Sequence, residues 1–206
     1  MDAPMTPASL SVRTVHGGAI AAHVDDLAGL RIAVFRAWPY LYDGDAAYEA
    51  QYLRTYVDSP RSVAVLAVDA GRVVGASTGL PLADEDNAFR APFVAAGIDP
   101  ARVFYCGESV LLPAYRGRGL GHRFFDAREA HARALGGFDW TAFCAVDRMP
   151  EDPRRPAGHR DNDAFWAGRG YRRRDDLRAA LPWREIGRGD VLHTLTFWLR
   201  PLEAAR

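Results

Sequence analysis

An apolar run that ends in a glycine-rich turn, between Gly107 and Phe125, constrains this chain more than any other stretch. Gly117, Gly119 and Gly121 follow Pro113, and the residues after them show helical spacing of apolar side chains. A strand that delivers such a turn to a helix N-terminus presents backbone N–H groups and the positive end of the helix dipole. Glycine lets the backbone approach an anion because no Cβ intervenes. The stretch therefore predicts a phosphate- or pyrophosphate-binding turn.

Two familiar phosphate motifs do not fit this turn. The Gly-Lys-Ser/Thr ending of a P-loop is absent, and the third glycine comes one residue too early for a dinucleotide fingerprint. Arg116, Gly119 and Gly121 instead fill the pattern Arg-x-x-Gly-x-Gly, after a strand and a Leu-x-Pro sequence. This resembles the pyrophosphate loop of the GNAT superfamily of N-acetyltransferases, which bind acetyl-CoA. A glycine-rich loop that only turns the chain is the alternative.

The order of predicted elements extends the resemblance to nearly the whole chain. Periodicity and turn residues predict strands at 9–15, 62–68, 72–80, 103–112, 140–146, 172–181 and 191–199. Helices are predicted at 23–38, 46–56, 119–135 and 162–169, with weak helical spacing at 88–96. This is the order of the GNAT fold. The resemblance implies an α/β structure, with a mixed, mostly antiparallel central sheet of about seven strands flanked by about four helices. We expect a single domain over residues 1–206 with its core at about 9–200.

Composition excludes several classes of function. The chain has 26 basic and 26 acidic residues, so it lacks the electrostatic footprint of a nucleic-acid binder. All the basic residues are arginine, which excludes lysine Schiff-base chemistry. No run of about 18 apolar residues exists, so we expect no membrane partner. Residues 1–7 have no basic or apolar region, so a secretory signal is not expected and a cytoplasmic location follows by default.

Cysteine and histidine spacing predicts no metal site. Cys106 and Cys144 each lie in an apolar strand-like run, which favours two buried free thiols. A disulfide stays open as an alternative, because the two strands could be neighbours. The six histidines show no zinc-binding pairing.

The resemblance assigns the coenzyme contacts residue by residue. The pantetheine arm would pair like a strand with backbone groups of Val110, Leu111, Leu112 and Pro113, and the N–H of Val110 or Leu111 would polarise the thioester. The pyrophosphate would meet N–H groups of Arg116, Gly117, Arg118, Gly119, Leu120, Gly121 and His122. Asn162 and Phe165 occupy positions that line the coenzyme in relatives.

The resemblance points to no single residue that removes a proton from the amine. Glu108 lies near the expected reaction centre, and Gly107 beside it opens space. The glutamate that several GNAT enzymes use as base aligns with Tyr105, three residues earlier. Glu108 would therefore point to the opposite strand face unless a β-bulge intervenes. The alternative role for Glu108 is a carboxylate satisfied by backbone or by an arginine.

The family's acid, a tyrosine that protonates the departing thiolate, falls here at Trp166, and an indole cannot supply that proton. Tyr105, Tyr171 and His193 are the other candidates, or water suffices. His193 lies in an alternating strand, so a packed structural histidine is the competing interpretation. Ser77 sits in a Gly-x-Ser-x-Gly sequence, but extended residues rather than a helix follow, which argues against a hydrolase elbow.

The resemblance implies an enzyme that transfers an acetyl group from acetyl-CoA to a primary amine of a small-molecule or amino-acid-like acceptor, by direct attack in a ternary complex. The alternative is a non-catalytic acyl-CoA-binding sensor or interaction module, and a homodimer is a possible state. We expect the acceptor pocket to involve the aromatic loop 38–43, the loop 147–160 and the last hairpin. A cationic acceptor would meet Asp43, Asp45 and Glu49, and an anionic one would meet Arg148, Arg154, Arg155 and Arg160.

Overall fold

The computed structural model describes residues 10–203. The first residue of the predicted strand 9–15 lies outside the described residues, as do residues 1–7, in which no secretory signal is expected. A central sheet has the strand order β1-β2-β3-β4-β6-β8-β7, and β5 pairs with β3 beside this path. Only β4 and β6 pair in parallel within it. The strands are β1 Ser11–His16, β2 Val63–Asp69, β3 Arg72–Pro81, β4 Val103–Tyr105, β5 Ser109–Leu111, β6 Trp140–Val146, β7 Arg172–Glu185 and β8 Gly189–Pro201.

Five α-helices cover the two faces of the sheet. They are α1 Val24–Phe35, α2 Ala46–Asp58, α3 Asn87–Ala95, α4 Leu120–Leu135 and α5 Asp163–Gly168. Short 3-10 helices occupy Gly17–His23, Leu82–Asp84, Pro100–Arg102 and Pro113–Tyr115. Buried side chains of α1, α2 and α3 form one apolar cluster with the sheet, and those of α4, together with part of α5, form the other. No helix within residues 10–203 is long and apolar enough to cross a membrane.

The predicted fold class is confirmed, with differences in detail. The weak helical spacing near residue 88 forms the capped helix α3, in which the Asp86 side chain accepts a hydrogen bond from the Ala88 N–H. The last hairpin is longer than predicted, because Pro182 and Trp183 pair with Leu192 and Val191 instead of forming a loop. Proline is tolerated there because β7 lies at the edge of the sheet.

The predicted strand 103–112 is divided by a β-bulge. Tyr105 pairs with Leu80 and Ser109 pairs with Ser77, so a four-residue step on one strand faces a three-residue step on β3. Such an extra residue reverses the face to which later side chains point. Glu108 therefore lies on the same side of the sheet as Tyr105, toward α1 and α2. Glu108 and Tyr105 can point to the same face of the sheet only if a bulge separates them, and the structure contains this bulge.

The sheet opens at this bulge. The N–H of Cys106 still donates to the carbonyl of Ala142 in β6 at 2.7 Å. From Gly107 onward the chain bonds to Thr78 of β3 instead, through the Gly107 N–H and the Glu108 carbonyl, each at 3.1 Å. β5 and β6 thus diverge, and the edge of β5 that faces away from β3 has no strand partner within residues 10–203.

The close packing at Gly107 generates a stability prediction. A Cβ at Gly107 would overlap the Tyr56 hydroxyl and lie 2.8 Å from Thr78 Oγ1, whereas a Cβ at Gly29 on the exposed side of α1 meets nothing within 4 Å. We expect Gly107→Ala to lower the free energy of unfolding by about 1–3 kcal/mol through overpacking. Gly29→Ala, the matched control, should raise it by up to about 1 kcal/mol. Urea denaturation checks this, and equal midpoints for the two variants would contradict the packing at the bulge.

Candidate active site

A cavity of about 990 Å³ lies where β5 and β6 diverge. It extends from the glycine turn at one end, past the bulge, to the aromatic segment between Phe35 and Tyr40 at the other. The first turn of α5 and part of the loop 147–161 form its outer wall. This volume is at the upper end of the range for small-molecule and cofactor sites. The cavity can therefore hold an extended ligand with one end at the turn and the other at the bulge.

The glycine turn has the properties that an anion site requires. Gly117 and Gly119 adopt φ values of +74° and +77°, which other residues rarely adopt. Helix α4 begins after Gly119 with no side-chain cap and no acidic residue in its first turn. Its first N–H groups are consequently available, and the helix dipole adds positive potential. The turn fits a pyrophosphate.

Most of the predicted coenzyme residues line this cavity. Val110 and Leu120 are instead buried in the two apolar clusters. Leu112, Pro113 and Arg118 do not line it either, and the Arg118 side chain folds back to donate to the Ala114 carbonyl at 3.0 Å. The predicted residues that line the cavity are Leu111, Arg116, Gly117, Gly119, Gly121, His122, Asn162 and Phe165.

Aromatic side chains form the wall at the position of the family's tyrosine. The ring of Trp166 packs against Phe143 and Trp198, with ring centroids 4.9 and 5.2 Å away. All three line the cavity. The Tyr171 hydroxyl is buried and lies within hydrogen-bond distance of Thr141 and Glu129, and Tyr171 does not line the cavity. This wall is therefore apolar and offers no acid.

Glu108 lies at the opposite wall in a buried group of charges. Arg31 of α1 donates from Nη1 to Glu108 Oε2 at 2.6 Å and from Nε to Glu49 of α2. Arg31 is 8 % exposed, Glu49 0 % and Glu108 6 %. Two carboxylates thus share one guanidinium, and the group carries one excess negative charge. An arginine partner for Glu108 matches the alternative role considered for it, yet Glu108 also lines the cavity.

A smaller cavity of about 90 Å³ adjoins the large one at the bulge. Gly107, Glu108 and Cys144 line both cavities. Tyr105 lines the smaller one, and its hydroxyl contacts Cys144 Sγ at 3.2 Å. The bulge therefore connects the two spaces, with Glu108 at the junction.

A chain of hydroxyl groups leads from Glu108 away from the cavities. The Tyr52 hydroxyl lies 3.3 Å from Glu108 Oε2 and 3.2 Å from the Tyr56 hydroxyl, which lies 3.3 Å from Glu85 Oε1. Burial raises the pKa of Glu85 from 4.5 to about 7. Glu85 is therefore able to exchange a proton near neutral pH, at the far end of a connected chain.

His193 lies outside both cavities. Its ring stacks on Trp183 at a centroid distance of 3.7 Å, and Nε2 is 3.2 Å from Glu185 Oε2. Burial, reinforced by the neighbouring Arg148, lowers the pKa of His193 to about 4. This placement favours a packed, neutral histidine within the last hairpin over the catalytic role considered for it.

The remaining nucleophile candidates are inert. Ser77 is fully buried in the middle of β3, which continues to Pro81, so no strand-to-helix elbow forms. Both cysteines are free, and burial raises the pKa of Cys144 to about 12 and also raises that of Cys106. The thiols are consequently protonated and weak nucleophiles. Residues 10–203 contain no group of three or more His, Cys, Asp or Glu side chains that could hold a metal ion.

A model of the Acetyltransferase (GNAT) family matches residues 30–151, which is more than half of the chain. The chain belongs to this family. No curated protein sequence matches it. The matched range contains the second half of α1, all of α2, the bulge and the glycine turn, so both ends of the large cavity lie in the part that matches the family model.

Solved structures share the GNAT fold over nearly the whole chain. An N-acetyltransferase from Staphylococcus aureus Mu50 is 10% identical with a TM-score of 0.61, covering 95% of this chain and 99% of that one. An aminoglycoside 6′-N-acetyltransferase complexed with coenzyme A is 16% identical with a TM-score of 0.56, covering 95% and 99%. The yncA protein of Salmonella typhimurium with its cofactor acetyl-CoA is 14% identical with a TM-score of 0.54, covering 95% of each chain. At these identities the likeness shows the fold alone.

Sequence reasoning missed two arginines that lie on the buried faces of helices. Arg31 follows Leu27 by four residues, and Arg128 follows Phe124 by four. Each charge therefore occupies a position of its helix's apolar stripe. A charged residue within such a stripe is the signal that could have identified them.

The raised pKa of Glu85 predicts a pH dependence of stability. Between about pH 4.5 and pH 7 the folded protein keeps this proton and the unfolded chain loses it, so the Glu85 contribution to stability falls as pH rises. We expect the free energy of unfolding of Glu85→Gln, relative to that of the parent protein, to increase by about 3 kcal/mol as pH rises from about 4 to about 8. Urea unfolding of both proteins across this range checks it, since other titrating groups cancel in the difference. A constant difference would contradict the burial of an ionisable Glu85.

Proposed function

We propose that this protein transfers an acetyl group from acetyl-CoA to a primary amine of a small molecule. One observation carries the proposal: a single cavity joins an uncapped, glycine-lined helix N-terminus to the buried carboxylate of Glu108. The first end suits the pyrophosphate of the coenzyme, and the second suits an amine. Membership of the GNAT family supports this assignment of the two ends.

Backbone groups would hold most of the coenzyme. N–H groups from Gly117 to His122 would meet the pyrophosphate, since the Arg116 N–H already donates to the Pro113 carbonyl at 3.2 Å. The free edge of β5 would pair with the amides of the pantetheine arm, because β6 has left that edge open. Leu111 and Phe165 would contribute apolar contacts from the two walls. Acetyl-CoA bound in this way supplies an activated acetyl group, which passes to nitrogen as the C–N bond forms and the C–S bond breaks.

Glu108 would bind the amine at the bulge. An ammonium ion must lose one proton before its lone pair can attack, and Glu108 is the acceptor that this end of the cavity presents. Tyr52 and Tyr56 would then pass that proton to Glu85, each hydroxyl accepting one proton and releasing another. Trp166 has no acidic proton, so the sulfur would take its proton from the attacking nitrogen or from water.

A non-catalytic acyl-CoA sensor is the second candidate. The observation that favours it is the tryptophan at the family's tyrosine position, packed into an aromatic wall. The two candidates differ in one measurement, the release of free coenzyme A thiol from acetyl-CoA in the presence of amines. A sensor would bind acetyl-CoA and release none, whereas we expect release that depends on the amine.

Coenzyme binding at the turn is tested with two matched aspartate substitutions. Gly119 and Gly97 both have φ near +75° and open space around the Cβ position, but only Gly119 lies at the turn. We expect saturating acetyl-CoA to raise the melting temperature of the parent protein and of Gly97→Asp, since about 2.7 kcal/mol of stabilisation accompanies a ligand at 100 times its Kd. Gly119→Asp should lose most of this shift because its carboxylate repels the pyrophosphate.

Thermal melting with and without acetyl-CoA provides the measurement. Loss of the shift in both variants would assign it to backbone strain rather than to charge at the turn. An equal shift in all three proteins, or none in the parent protein, would contradict the proposed site.

A further inference from the structure

The residues that line the smaller cavity are mostly aromatic or charged. Aromatic rings form most of its wall, among them Tyr42, Tyr48, Tyr52, Tyr105 and Trp183. The charged residues that line it are Arg31, Glu49 and Glu108. A space with aromatic faces and an excess of negative charge suits a cation, through charge attraction and cation–π contacts.

Two carboxylate oxygens in this cavity have no partner. Glu49 Oε1 and Glu108 Oε1 are buried and accept no hydrogen bond within residues 10–203, while the Oε2 atoms of both residues contact Arg31. A buried carboxylate oxygen without a hydrogen bond is costly. A ligand with N–H donors would satisfy both oxygens, and an ammonium ion carries such donors together with the balancing charge.

The volume limits the group that can enter. The cavity measures about 90 Å³, less than a tenth of the large cavity. An ammonium group with a short carbon chain fits this space. Because Gly107 and Glu108 line both cavities, a nitrogen at Glu108 also adjoins the large cavity, in which the coenzyme is proposed to bind.

Three of the four arginines that an anionic acceptor was expected to meet are already paired. Arg148 donates to Glu185 at 3.0 Å and to the carbonyls of Pro39 and Tyr40. Arg154 pairs with Asp152 and Glu185, and Arg155 pairs with Asp161 at 2.7 Å. These guanidinium groups are engaged within the protein, and Arg31 is shared between two carboxylates. A carboxylate on the acceptor would therefore enter a negative pocket without a matching cation.

We propose that the smaller cavity binds the ammonium group of the acceptor between Glu49 and Glu108, and that the acceptor is a small aliphatic amine with no carboxylate near its nitrogen. This inference rests on the proposed function and narrows it, because it excludes amino acids from the acceptors considered above. Glu49, which lines the smaller cavity and not the large one, becomes the residue that selects the amine.

Matched pairs of small amines test this selectivity on the unaltered protein. Propylamine and β-alanine, and likewise ethylamine and glycine, differ by a carboxylate in place of a methyl group. Thiol release from saturating acetyl-CoA measures kcat/KM for each member of a pair. We expect the amine to exceed its carboxylate partner by at least about tenfold in each pair, equivalent to ~1.4 kcal/mol.

A substitution at Glu49 tests the residue itself. Glu49→Gln keeps the shape and one acceptor oxygen for Arg31, and we expect it to raise the KM for propylamine about tenfold or more, with the thermal shift by acetyl-CoA unchanged. Glu203→Gln, at an exposed position, is the control and should change neither quantity. The paired-amine comparison decides the matter where Glu49→Gln does not fold.

The outcomes separate this inference from the proposed function. Equal or faster reaction of β-alanine and glycine, or an unchanged KM in a folded Glu49→Gln, would overturn the cation pocket while acetyl transfer stands. A thermal shift by acetyl-CoA without thiol release from any of these amines would also overturn it. Absence of both the shift and thiol release in the parent protein would remove the proposed function together with the pocket.

Discussion

The site depends on a contact between one buried arginine and two backbone carbonyl groups. Arg128 of α4 is 1 % exposed and donates from Nη1 to the carbonyls of Thr78 and Glu108, at 3.2 and 3.0 Å. The Glu108 carbonyl stands where the sheet opens and β6 no longer faces the strand. A guanidinium–carbonyl hydrogen bond is stronger than a neutral one. Arg128 thus ties α4, whose first turn is the proposed anion site, to the bulge that carries Glu108.

A second buried arginine performs the corresponding role on the other face of the sheet. Arg31 joins Glu49 of α2 to Glu108, and its guanidinium also lies 4.0 Å from the centre of the Tyr52 ring. Removing one partner from such a buried group leaves a charge without compensation, at a cost of several kcal/mol. Arg31 and Arg128 therefore hold Glu108 by its side chain and its carbonyl respectively. The spaces proposed for the coenzyme and the amine meet at Glu108, the residue that both arginines fix.

The sequence predicted what depends on local pattern, and missed what depends on distant partners. The glycine turn and the element order follow from the spacing of glycines and apolar residues. The fold and the proposed coenzyme end of the cavity could therefore be predicted from the sequence. The sequence did not predict the bulge, which entered only as the condition for Glu108 and Tyr105 to share a face. One extra residue in so short a strand leaves no recognisable change in the alternation of side chains. Arg31 and Glu108 are 77 residues apart, and only the folded chain brings them together. His193 is the opposite case, since a titratable residue in a strand suggested chemistry, and its packing against Trp183 favours the structural alternative.

A crystal structure of the protein with coenzyme A tests the central claim most directly, because it locates both ends of one ligand. We predict pyrophosphate oxygens within about 2.7–3.2 Å of N–H groups between Arg116 and His122. The pantetheine arm should pair with the free edge of β5, and the thiol should lie in the gap between β5 and β6 beside Glu108. A pyrophosphate bound away from the turn, or an arm that leaves the gap empty with its thiol remote from Glu108, would contradict the account.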